Sequence, residues 1–176
     1  MKGNKKVASA LDISQYLLSL DPKRKYFTTK VMSSEEGWGI NPPVEGNFRL
    51  NKLLHILQIL HYVKYGELLF SEDMIAYKNG AVVESVIKSF SNELVKLKTY
   101  PKVSNVCPKQ KEFISLIYNH FQGEYTNYEL GELSHDDPSW QIAQKEGYKT
   151  AMSREEDILK YWKDFYQHVL EEIEEE

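Results

Sequence analysis

Apolar residues recur at helical spacing through most of this chain, and the places where the pattern breaks mark its candidate elements. Val7, Ala8, Leu11, Tyr16, Leu17, Leu18 and Leu20 predict an amphipathic helix over Val7 to Leu20, stopped by Asp21-Pro22 because a residue before proline is pushed out of the helical region. Tyr26 to Met32 is rich in aromatic and β-branched residues in loose alternation and reads as a short strand. Ser33 to Asn47 contains Gly37, Gly39, Pro42, Pro43 and Gly46 and reads as a loop, with Trp38 expected to fold back on the domain. Phe48 to Tyr65 is the clearest helix. Leu50, Leu53, Leu54, Leu57, Leu60 and Tyr62 repeat near helical spacing, and Ile56, Ile59 and Val63 widen the stripe almost to the full circumference. A helix that is apolar nearly all round belongs at the centre of a domain. Gly66 follows it as the expected left-handed C′ residue.

Beyond Gly66 the pattern predicts a turn and a short extended piece around Met74 to Tyr77. A second amphipathic helix follows over Ala81 to Lys98, on Val82, Val83, Val86, Ile87, Phe90, Leu94 and Leu97, closed by Pro101. Pro108 suits the first position of a third helix running to about Gln122, where its missing N–H costs nothing. Thr126-Asn127-Tyr128-Glu129 has capping-box spacing and opens a short helix to Leu133 or Ser134. Asp136 or Asp137 caps another helix through Trp140 to about Lys145, and Ser153-Arg154-Glu155-Glu156 is a second capping box before a last helix through Leu170. Glu171 to Glu176 are acidic where the helix dipole disfavours anions, and the pattern predicts a frayed tail there. The fold class is therefore mainly α: one multi-helix bundle around the buried helix 48–65, with at most a short β element.

Composition narrows the class without changing it. At 176 residues, 41% hydrophobic and 27% charged, the chain fits one globular domain that needs no disulfide or metal staple. The net charge of −4 argues against a nucleic-acid partner, and the basic runs Lys2–Lys6 and Lys23–Lys25 read as solvated ends. One cysteine, Cys107, cannot form an internal disulfide, which points to a reducing, cytoplasmic setting. Asp12 and Ser14 interrupt what would be a signal-peptide core, and no apolar run is long enough to span a membrane.

Candidate chemistry is sparse. The nucleotide-binding, zinc-protease, CxxC and GxSxG patterns are missing from the sequence. No cofactor, metal ligand set or catalytic residue is assigned. His55 and His61 lie about 240° apart on one helix, cannot share a metal by themselves, and read as half-buried or helix-flank residues. Ser134-His135-Asp136-Asp137-Pro138 is the one segment where an imidazole and two carboxylates could hold a metal or run acid–base chemistry, but caps and a fixed turn are the simpler reading.

The order of signals from Asn51 onward resembles one family. Lys52-Leu53-Leu54, Gln58, Tyr65-Gly66, Leu69-Phe70, Ala76-Tyr77, Gly80 and Val82-Val83 are similar to the core motif of the Panacea domain, found in phage-associated GepA-like and SocA-like proteins; Leu130, Ser134-His135 and Trp140 match its later part. The likeness covers about residues 50 to 170, leaving 1–49 as an N-terminal helix and loop packed on the domain and 171–176 as the tail. His55, Leu57, Tyr77, Ala81 and Ser139 depart from the pattern and mark a divergent member.

The resemblance implies a non-catalytic antitoxin that neutralises a toxin encoded nearby by direct contact. A proteolytic adaptor that delivers the toxin to a protease is one alternative, with the acidic tail or the Ser33–Asn47 loop as its second surface; an enzyme centred on His135 is another. Lys52, Leu53, Leu54, Gly66, Gly80, Val82 and Val83 then build the fold, whereas Tyr77, Lys78, Asn79, His135 and Trp140, polar or aromatic residues at turns, are the expected partner contacts, since aromatic side chains are over-represented in binding hot spots. The Tyr-rich surface also leaves self-association open.

Overall fold

The computed structural model describes residues 7–23, 25–27, 47–90 and 105–176. The strand expected over Tyr26–Met32, the Trp38 loop and the distal half of the helix expected over Ala81–Lys98 fall wholly or largely outside these residues.

The first helix, α1 (Ala10–Leu20), begins later than the apolar pattern suggests because Ser9 caps it. Ser9 Oγ accepts the Asp12 N–H while the Asp12 carboxylate accepts the Ser9 N–H, satisfying two donors that the first turn would otherwise leave unpaired. The central helix α2 (Asn47–Tyr65) is buried at every residue from Phe48 to His61 and ends at Gly66, whose φ of +70° is the left-handed conformation expected there. Its most extensive packing is against the last helix, α7 (Glu156–Glu175), with α1, α3 (Glu84–Ser89), α4 (Pro108–Glu124) and α5 (Asn127–His135) also against it.

A small antiparallel sheet interrupts the helices, in the order β2 (Gly80–Val82), β1 (Ile75–Tyr77), β3 (Thr150–Ala151). Ile75 pairs with Val82, Ala76 with Ala81 and Tyr77 with Gly80 on one side; Ala151 and Thr150 pair with Ile75 and Ala76 on the other. The mainly helical class with a short β element is thus as the pattern predicts. One boundary differs: Ala81 to Val83 do not open a helix. Their N–H groups are claimed from a distance, Ala81 N–H by Ser134 Oγ at 2.9 Å and Val83 N–H by Asn51 Oδ1 at 2.9 Å, and α3 starts only at Glu84.

The second half of the chain follows its caps closely. Pro108 occupies the first turn of α4, and Thr126 and Glu129 form the capping box of α5. Asp137, not Asp136, caps α6 (Pro138–Glu146). The box expected at Ser153 does not form, because Ser153 Oγ accepts the Glu155 N–H ahead of the helix and Glu155 is the N-cap of α7. The acidic end is not frayed either. It is the last turn of α7, held by Ile173 at 1% exposure, by an ion pair from Glu174 to Lys64, and by Glu176 against His120 Nδ1 at 2.7 Å. Burial of one apolar side chain on that turn outweighs the unfavourable dipole. Among the described residues no helix is long and apolar enough to cross a membrane.

Candidate binding cleft and its buried footing

Five polar side chains of the central helix lie in a stripe: Asn51, Lys52, His55, Gln58 and His61, spaced so that they share one broad side of α2. All five are buried, and each bonds to a segment packed over the helix. Asn51 holds the Val83 N–H; Gln58 Oε1 accepts from Leu69 and Phe70 while its Nε2 donates to the Phe70 carbonyl at 2.9 Å. His61 Nδ1 lies 2.8 Å from the Glu67 carbonyl, and Lys52 Nζ donates to the Ala81 carbonyl at 3.1 Å. Unpaired polar groups at this depth would each be costly, so the stripe specifies where the chain after α2 must lie.

His55 sits at the middle of the stripe. Its Nδ1 is 3.1 Å from Ser134 Oγ and its Nε2 is 2.7 Å from Asp137 Oδ2. The other oxygen of Asp137 accepts from the Ser139 N–H and from the Trp162 indole N–H, at 3.0 and 3.1 Å. The hydroxyl, imidazole and carboxylate are in the sequence of contacts used for nucleophilic catalysis. Here, however, Ser134 is 1% exposed, its Oγ already accepts the Ala81 N–H, and the void beside His55 holds only about 10 Å³. The string ties α2, α5, α6, α7 and β2 together. His55 and His61 are therefore buried, not half-buried or at a helix flank.

His135 has a different environment from the one that would make it a metal ligand or a base. Its ring stacks on Trp140, with centroids 4.3 Å apart and planes at 25°. Its nearest carboxylate is Glu132 at 3.6 Å; Asp137 is engaged with His55, and Asp136 is exposed. Burial, with the Lys52 and His55 charges behind it, pushes the His135 imidazole down to about 4. Among the described residues no group of three or more His, Cys, Asp or Glu side chains could hold a metal ion.

The expected contact residues meet at one place. Tyr77, Lys78 and Asn79 form the tip of the β1–β2 hairpin, where Gly80 at φ +104° closes the turn. Trp140 donates its indole N–H to the Tyr77 carbonyl at 3.0 Å, so it and His135 brace the tip from behind. In front of the tip is an open cleft of about 460 Å³, lined by Phe48 and Lys52 from α2, by Tyr77, Lys78 and Asn79, and by Tyr148. Lys52 lies at its floor. Burial alone lowers its ammonium to about 7, since its bonded partner is a carbonyl and not a carboxylate.

Tyr148 is the residue that pattern reading misses. It stands 72% exposed between Gly147, at φ +147°, and Lys149, at φ +62°. Its ring is 5.7 Å from that of Tyr77, and Lys149 Nζ lies 5.3 Å from both ring centroids. The only signal was a glycine turn carrying an aromatic residue between two elements.

The segment that builds this footing is also the one that matches known proteins. Residues 50–141, just over half of the chain, match the family described as Antitoxin SocA-like, Panacea domain. Neither a curated protein nor a solved structure matches the chain. Lys52, Gly80, Ser134 and Trp140, which seat the hairpin, and Gln58, which holds Leu69 and Phe70, all lie inside the matched segment; the chain belongs to the family described as Antitoxin SocA-like, Panacea domain.

Proposed function

We propose that this protein is a cytoplasmic, non-catalytic binding domain that neutralises a toxin encoded nearby by direct contact, using the hairpin tip and the cleft beside it. The observation that carries this reading is the placement of Tyr77, Lys78 and Asn79 on a partly exposed tip anchored at the Tyr77 and Ala81 carbonyls, next to an open cleft with an apolar and aromatic wall. A rigid aromatic tip loses little freedom on binding, which is what a high-affinity protein contact needs. Two of the histidines are meanwhile engaged by neighbouring side chains: His55 between Ser134 and Asp137, His135 against Trp140.

Co-expression with the neighbouring gene product tests the proposal. Growth is expected to be rescued by the intact chain and the two proteins to co-elute. Tyr77→Ala combined with Asn79→Ala is expected to weaken that complex at least about tenfold with little change in melting temperature. A neighbour that is neither toxic nor bound would sink the reading. The adaptor alternative needs a second surface; the acidic end offered for it is docked helix, and residues 33–46 lie outside the described structure.

A further inference from the structure

The cleft has a charge of its own, opposite to that of the molecule. The chain as a whole is at −4, yet among the described residues lining the cleft there is no carboxylate. Lys78 stands exposed at the rim, Lys52 lies beneath the floor, and Lys149 is fixed over the outer faces of Tyr77 and Tyr148. The acid that faces Lys149, Glu84, is shared with Lys88 at 3.6 Å. With its ammonium lowered by burial to about 7, Lys52 is only partly charged near neutral pH, so the exposed Lys78 and Lys149 supply the positive potential over the cleft.

A second, independent feature lies at the same rim. Lys149 is the one non-glycine residue with positive φ among those described, and the turn it closes has the effect of standing Tyr148 out from the surface. Residues held in sparsely populated backbone regions cluster at ligand clamps. Here the strained turn builds the outer wall of the cleft, a tilted Tyr77–Tyr148 pair at 50°.

We infer that this cleft receives an acidic segment of the protein partner, with an apolar or aromatic side chain against the Tyr77–Tyr148 wall and its carboxylates facing Lys78 and Lys149. This rests on the protein-binding reading above and specifies the chemistry of the bound segment. Complementary charge of this kind speeds association and weakens with salt. Lysines beside aromatic rings could also serve single-stranded nucleic acid, but a net negative chain with so few basic groups at the site favours the acidic polypeptide.

The test selects dodecapeptides from a displayed random library on the intact chain. Enriched sequences are expected to carry Asp or Glu beside Tyr, Trp, Phe or Leu. The synthetic form of the best peptide should lose about tenfold or more in affinity when its carboxylates are changed to amides. It should lose as much against Lys78→Glu combined with Lys149→Asn, asparagine being tolerant of the left-handed backbone. Tyr148→Ala provides a second variant at a fully surface position, with an equal melting temperature as the control. Recovery of neutral or basic peptides, no enrichment, indifference to these variants, or tighter binding of a twelve-nucleotide oligo-dT at physiological salt would each overturn the inference. Toxin neutralisation separates the two proposals. Cleft variants that lose the acidic peptide but still rescue growth sink this inference alone; acidic peptides bound in the cleft with no toxin neutralised sink the antitoxin reading alone.

Discussion

Lys52 is buried to 1% exposure with a carbonyl as its hydrogen-bond acceptor, and the consequence is a measurable pH dependence. Its folded-state value of about 7 lies below the ordinary lysine value of 10.5. Between those values the unfolded chain holds the proton that the folded chain has released, so stability rises with pH across that window. A slope of up to about 1.4 kcal/mol per pH unit is the scale to expect. Lys52→Met should flatten the slope in urea titrations between pH 7 and 10 and be relatively more stable at the acid end; an unchanged slope would show that the amine is not the source. At this scale the sequence was partly legible. Lys52 and Gln58 stood out as motif residues, and Asp137 as one of two candidate caps beside Asp136. The role of His55 was not, because its partners Ser134 and Asp137 are 79 and 82 residues away, and helical spacing says nothing of contacts at that range.

Hairpin and helix termini show how the same residue type is demanded for two different reasons. Gly66 and Gly80 both have positive φ, but a Cβ on Gly66 would meet nothing within 4 Å, whereas on Gly80 it would lie 2.4 Å from Lys52 Nζ and 2.7 Å from Ser134 Oγ. Gly66→Ala should therefore cost only the left-handed strain, about 1 kcal/mol. Gly80→Ala adds a clash with two buried, bonded atoms and should cost about 3 kcal/mol or more by chemical denaturation, with loss of the hairpin's amide exchange protection. Equal costs would refute the close approach. Element type was read correctly for the long helices, whose spacing and caps act locally. It failed at Ala81–Val83, where Val82, Val83, Val86 and Ile87 keep helical spacing and only distant acceptors decide for a strand. It failed too at β3, two residues long, which exists through its pairing with Ile75 and Ala76.

For the whole molecule, α7 does what the matched segment cannot do alone. The family match ends at residue 141, within α6, yet α7 covers α2 more extensively than any other element and donates the Trp162 indole to Asp137. Its last turn is part of that cover. Ile173→Ala should cost about 2–4 kcal/mol in thermal or denaturant unfolding, and Glu172→Ala, on the exposed side, less than about 0.5. A silent Ile173→Ala would return the acidic end to solvent. The central burial of α2 was visible in its composition, since a nearly all-apolar helix has nowhere else to go; the docking of the acidic end was legible only in Ile173, which continues the spacing of Ile158, Trp162, Tyr166 and Leu170 but stands among five glutamates.

The bonds that seat the loops on α2 run to main-chain groups: the amides of Leu69, Phe70 and Val83, and the carbonyls of Glu67, Phe70 and Ala81. Main-chain groups are the same whatever residue bears them. The platform is therefore indifferent to which side chains the fingertip displays, and replacing Tyr77, Lys78, Asn79 or Tyr148 swaps the key without recutting the handle.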